Sequence, residues 1–92
     1  MPLAFPDDHA IYDYDTRSIH TAAFDGDKRI IVVINVDDLQ GISGDTSADP
    51  EGLVRLFLNH AGLIRATAFR KYSRGDLDSD GMIKVTAIDM RL

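Results

Sequence analysis

The stretch from Lys28 to Val36 limits this chain most. Its residues Ile30-Ile31-Val32-Val33-Ile34-Asn35-Val36 are nearly all branched at Cβ, which restricts χ1 and favours the extended chain. Asp25-Gly26-Asp27 precedes it, and Asp-Gly supplies the positive φ values a tight hairpin needs. Before that turn, Ser18 to Phe24 alternates loosely, with Ile19, Thr21 and Ala23 on one face and His20, Ala22 and Phe24 on the other. These residues predict a β-hairpin over 17–36. Its second strand is apolar on both faces: Ile30, Val32, Ile34 and Val36 point one way, Ile31 and Val33 the other. A strand with one wet face would alternate. This strand is therefore expected at the centre of a sheet, with both faces covered. One helical layer covers one face. The other needs a second helix, the N-terminal arm or another subunit.

The remaining signals set helices around that hairpin. Residues 1–10 carry two prolines and no periodicity, and read as an arm. Tyr12 to Arg17 reads as a turn entering a strand. Asp37 or Asp38 is placed to cap a short helical turn through Gln40, ended by Gly41. Asp49-Pro50-Glu51 is a helix start, with an N-cap acid and proline at the first helical position. Leu53, Phe57, Ala61, Ile64, Ala68 and Tyr72 follow at spacings of three and four, an amphipathic stripe. Asn59 and Gly62 interrupt it, which predicts a bend or two helices, 50–59 and 61–73. Gly75 suits a left-handed cap. Met82 to Met90 alternates as a last strand. The expected fold is α+β: a small antiparallel sheet of hairpin 17–36 and C-terminal strand 82–90, packed by helical segment 50–73, in a single domain over 1–92.

Composition narrows the function. The 92 residues contain no cysteine, which removes disulfides, thiolate nucleophiles and thiolate metal sites, and suits a reducing compartment. The N-terminus lacks a basic region and a signal-length apolar stretch, and no apolar run is long enough to span a bilayer. A cytoplasmic location and no membrane partner are expected. The net charge is −5. Residues 51–75 hold Arg55, Arg65, Arg70, Lys71 and Arg74 against one acid, Glu51. The rest of the chain is strongly acidic.

The ordered combination Tyr12-Asp13-x-x-x-Arg17, the hairpin, Val36-Asp37-Asp38-Leu39, Phe57-x-Asn59-His60-x-x-x-Ile64-x-x-x-Ala68-x-x-Lys71-Tyr72 and a final Asp89 resembles the small bacterial family called domain of unknown function 1488. The resemblance runs from about Phe5 to Met90. It implies an α+β fold and supplies no active site. The family often shows Asn-Arg where this chain has Asn59-His60, so no role for that arginine carries over.

Three groups of residues invite a chemical reading. Asp76-Leu77-Asp78-Ser79-Asp80-Gly81 matches the start of a calcium loop, with Asp76, Asp78 and Asp80 as ligands. Ala87 stands where the bidentate Glu belongs, so the plainer reading is an acidic turn before a strand. His9, His20 and His60 share no metal-ligand spacing. His20 beside Asp13 or Asp15 could act as a base held by a carboxylate, but no activated nucleophile stands near it in sequence. The basic residues 55–74 suggest an anionic partner such as RNA. Solvation and dipole complementation of a helix is the plainer reading, because the whole-chain field repels phosphate. No catalytic or cofactor-binding residue is assigned, and no cofactor is expected.

The leading expectation is a non-enzymatic interaction or regulatory module that self-associates as a dimer. Ile31 and Val33 motivate this, with Arg65, Arg70 and Arg74 as further interface candidates for meeting acidic surfaces between copies. An unidentified protein partner is a further possibility. The alternatives are a metal-dependent or hydrolytic enzyme using His20 and nearby Asp, or a nucleic-acid accessory protein using the basic helix.

Overall fold

The computed structural model describes residues 3–5, 10–44 and 49–91. Its elements are β1 (Ile11–Asp13), β2 (Ser18–Asp25), β3 (Lys28–Asn35), α1 (Val36–Ser43), α2 (Pro50–Asn59), α3 (Ala61–Ser73), β4 (Ile83–Val85) and α4 (Ala87–Arg91). The expected hairpin is the frame. β2 and β3 pair antiparallel from Ser18↔Asn35 to Asp25↔Lys28. Gly26 opens the two-residue turn at φ +62°, where a residue without Cβ is unstrained. β1 joins β2 antiparallel through Tyr12↔Ile19, and the sheet order is β1-β2-β3-β4.

β3 is internal, as its apolar character requires, but the helices cover only one of its faces. Ile30, Val32 and Ile34 are buried, while Ile31 and Val33 are half-buried. The expectation that both faces are sheltered is corrected accordingly. The described part of the N-terminal arm does not lie over the second face. It lengthens an edge: Ala4 exchanges two backbone hydrogen bonds with Phe24, at 2.8 and 2.9 Å. Leu3 reaches the core.

The last strand differs from its expectation in length and direction. β4 runs parallel to β3, through Val32↔Ile83 and Ile34↔Val85. Three helices connect the two strands, a connection of the kind that parallel neighbours require. The strand stops at Val85 because Thr86 caps α4. The Asp89 N–H donates to Thr86 Oγ1 (3.2 Å), and the Thr86 N–H donates to Asp89 Oδ2 (3.0 Å). This reciprocal pair is a capping box, so residues 86–90 do not belong to the strand.

The helical layer follows the amphipathic stripe. Leu53, Phe57, Ile64 and Ala68 are buried against Ile19, Val32, Ile34, Ile83 and Val85. The stripe breaks at His60 into α2 and α3, as expected. The side chain of Asp49 caps α2 by accepting from the Gly52 N–H at 2.9 Å. Gly75 (φ +72°) ends α3: its N–H donates to Tyr72 O, and the Asp76 N–H donates to Lys71 O, the Schellman arrangement. α1 is capped by Asn35, not by Asp37 or Asp38, and continues through Gly41 to Ser43. Among the described residues no helix is long and apolar enough to cross a membrane.

Arg17 closes the turn between β1 and β2 at φ +50°, the only non-glycine residue with positive φ among those described. Left-handed backbone crowds Cβ against the following carbonyl. Arg17→Gly is therefore expected to stabilise the fold by about 0.5–1 kcal/mol, read as a higher urea midpoint at unchanged slope.

Candidate functional site

The face of the sheet that the described residues leave open is built from alternate residues of each strand. β2 contributes Ser18, His20, Ala22 and Phe24, and β3 contributes Arg29, Ile31, Val33 and Asn35. Ala22 stands opposite Ile31. One row crosses all four strands: Ile11, His20, Val33 and Lys84. Ile11 is 59% exposed. Ala22, Ile31 and Val33 form an apolar centre with His20 beside it, Arg29 stands toward the hairpin end, and Asp13 stands at the opposite end beside Ser18.

Beside that row is a hollow of about 320 Å³ lined by Ser18, His20, Val33, Asn35, Lys84 and Thr86, with Asp38 also on its wall. A short polar chain enters it. Thr16 Oγ1 is 2.6 Å from Ser18 Oγ, and Ser18 Oγ is 2.9 Å from His20 Nε2. Asp13 Oδ2 lies 3.6 Å from the same His20 nitrogen. The Asp15 N–H donates to Asp13 Oδ1 at 2.9 Å. That bond, helped by Thr16 and by nearby His20 and opposed by partial burial, holds the Asp13 carboxyl below the usual carboxylate range. The expected pairing of His20 with a carboxylate is present, through Asp13. The geometry is not that of a hydrolytic triad, in which acid and nucleophile address opposite ring nitrogens. Here both approach Nε2, and Ser18 is buried beneath Thr16 and His20.

A family model described as "Protein of unknown function (DUF1488)" matches residues 3–85. The chain belongs to the DUF1488 family. Its fold is also that of a crystal structure of a DUF1488 protein of unknown function from Shewanella loihica PV-4, at a TM-score of 0.87, 20% identity and 92% coverage of each chain. No curated protein matches it.

In this DUF1488 chain the other sequence candidates are dispersed. Asp78 Oδ2 is 2.9 Å from Lys84 Nζ, which lowers the Asp78 carboxyl and raises the Lys84 ammonium from their ordinary values. Asp80 Oδ1 accepts from the Met82 N–H at 3.2 Å. Asp76 faces Lys71 and Arg74, each at 3.8 Å. The three carboxylates take separate partners, and among the described residues no three His, Cys, Asp or Glu side chains gather as a metal shell. His60 Nδ1 donates to the Leu56 carbonyl of α2 at 3.0 Å. His9 lies outside the described residues.

The basic residues of α2 and α3 are engaged within the chain. Arg55 lies 3.8 Å from Glu51, and the Arg65 guanidinium sits 5.3 Å over the Phe5 ring. Arg70 Nη2 donates to Asp89 O at 2.7 Å, and Arg74 faces Asp76. Lys71 is buried, donating to Lys84 O (2.5 Å) and Asp89 Oδ2 (2.7 Å). Arg65, Arg70 and Arg74 therefore do not assemble with the open face. Thr16, Ser18, Asn35 and Lys84 belong to no motif that marks them in the sequence. Period-two counting from His20 and Val33 was the available signal for Ser18 and Asn35.

Proposed function

We propose that this DUF1488 chain is a non-enzymatic interaction module, and that its occupant is a second copy docked face to face on the open side of the sheet. The carrying observation is the position of Ile31 and Val33. They occupy the middle of an internal strand yet are only half-buried, beside Ala22 and exposed Ile11. Opposite charges at the two ends of the face, with Lys84 already paired to Asp78, favour a second copy over other occupants. A two-fold axis through the apolar centre sets Arg29 of one copy toward the acidic end, Asp13, of the other. Such an isologous contact is self-complementary.

Size sets the class of interface. Two eight-residue strands flanked by two short ones present roughly 400–600 Å² per copy. A standard specific interface buries about 800 Å² per partner. The pairing is accordingly of the weak, transient class. The setting this reading implies is the cytoplasm, where a chain without cysteine suits the reducing conditions.

Sedimentation equilibrium at pH 8 tests the proposal. The wild type is expected to show a reversible monomer–dimer equilibrium. Ile31→Lys, which adds a charge to the centre of the face, is expected to weaken it at least about tenfold with an unchanged thermal melt. A wild type that stays monomeric to about 1 mM, a concentration at which even a weak contact associates, would remove it.

A further inference from the structure

We propose that protonation of His20 releases the paired form, making the open face a pH-sensitive docking surface. This rests on the face-to-face reading above. His20 stands in the central row between Ile11 and Val33, with its side chain 27% exposed. Histidine is the side chain whose charge ordinarily changes between pH 5 and 8.

The two protonation states make different demands on the same contacts. With Nε2 unprotonated, the Ser18 hydroxyl donates to it, and Thr16 completes a neutral chain of hydrogen bonds. That arrangement is compatible with burial under a second copy. With Nε2 protonated, the ring donates, and Ser18 turns its own proton toward Thr16. The imidazolium then keeps its charge balanced through Asp13 on β1 and through water. Asp13 Oδ2 is 3.6 Å away, beyond a direct hydrogen bond, and Oδ1 already accepts from Asp15. Asp38 on α1 shares the hollow but accepts the Ala87 N–H at 3.1 Å. Lys84 on β4 continues the row beyond Val33, but its ammonium is paired with Asp78 at 2.9 Å and offers His20 no counter-charge. Docking strips the water and brings a second His20 to the same surface. Incompletely compensated burial of charge is unfavourable. The paired form therefore excludes the proton, and by linkage the proton disfavours pairing.

The test is sedimentation equilibrium at pH 8, 7, 6 and 5.5 on wild type, His20→Gln and Asp13→Asn. Each excluded proton weakens pairing by up to about tenfold per pH unit. The wild-type Kd is expected to rise at least about tenfold between pH 8 and 5.5. His20→Gln should dimerise with little dependence on pH, and Asp13→Asn should lose more affinity in acid than the wild type. A wild-type dimer whose Kd does not change, or a His20→Gln dimer that keeps the wild-type dependence, overturns the switch while leaving docking intact. A wild type that is monomeric at pH 8 overturns docking and the switch together.

Discussion

Replacing Asp89 with alanine is expected to destabilise the fold by about 3 kcal/mol in urea denaturation. One carboxylate joins three elements. Asp89 Oδ2 accepts from Lys71 Nζ of α3 at 2.7 Å and from the Thr86 N–H at 3.0 Å, where β4 gives way to α4. Lys71 is 8% exposed. Without Asp89 its ammonium remains buried with only the Lys84 carbonyl and the more distant Asp76. Leaving a buried charge uncompensated is the costly half of such a pair, and losing the capping box adds to it. Lys71→Met removes the charge itself and is expected to cost less, about 1–2 kcal/mol, chiefly for the Lys84 carbonyl left without a donor. A double-mutant cycle should show coupling of at least about 1 kcal/mol.

The same carboxylate predicts acid lability. Burial acts to raise the Asp89 pKa, but the hydrogen bonds from Lys71 and Thr86 outweigh it and hold it below the ordinary value. A carboxyl depressed in the folded state contributes stability that is present above its unfolded pKa of about 3.9 and lost as pH falls through the folded value. Asp13 and Asp78 are shifted the same way. Stability should therefore fall below about pH 4. Asp89→Ala should flatten part of that fall. The pH range of the His20 experiment lies above it.

Phe57→Ala is expected to cost about 4 kcal/mol, from the lost transfer of the ring and the cavity it leaves. Phe57 is fully buried, near the end of α2, the helix packed against β1 and β2. Those strands hold Asp13 and His20, so this ring supports the open face from behind. Phe57→Leu, which keeps most of the volume, should cost about 1–1.5 kcal/mol. Urea midpoints of the two variants measure the difference. A near-neutral Phe57→Ala would mean that α2 contributes little to holding the sheet.

The local chemistry of the hairpin and the two long helices was legible. Gly26 enforced the turn, cross-chain alternation set the register of β2 and β3, and weak helix formers around His60 predicted the break. Long-range facts were less accessible. Met82 to Ile88 alternates like a strand, and only the Thr86-x-x-Asp89 capping pattern marks where it stops. The helices intervening between β3 and β4 were a signal for parallel pairing, but no residue in β4 states its direction. Asp37 and Asp38 looked like caps because cap propensity is local, whereas β3 ends one residue earlier and gives the cap to Asn35. The partial exposure of Ile31 and Val33 depends on where the helices pack, which periodicity does not encode. At the site, Asp13 and His20 were visible as neighbours. The hydroxyl chain through Ser18 and Thr16 required the turn at Arg17.

Docking through the sheet's open face is tested most directly by amide and methyl NMR spectra recorded on dilution at pH 8. From about 1 mM to about 10 μM, a range that brackets a weak interface, progressive shifts are expected at Ala22, Ile31, Val33 and Lys84, with Leu63 and Phe69 on α3 unmoved. Spectra independent of concentration, or shifts confined to α3, would contradict it.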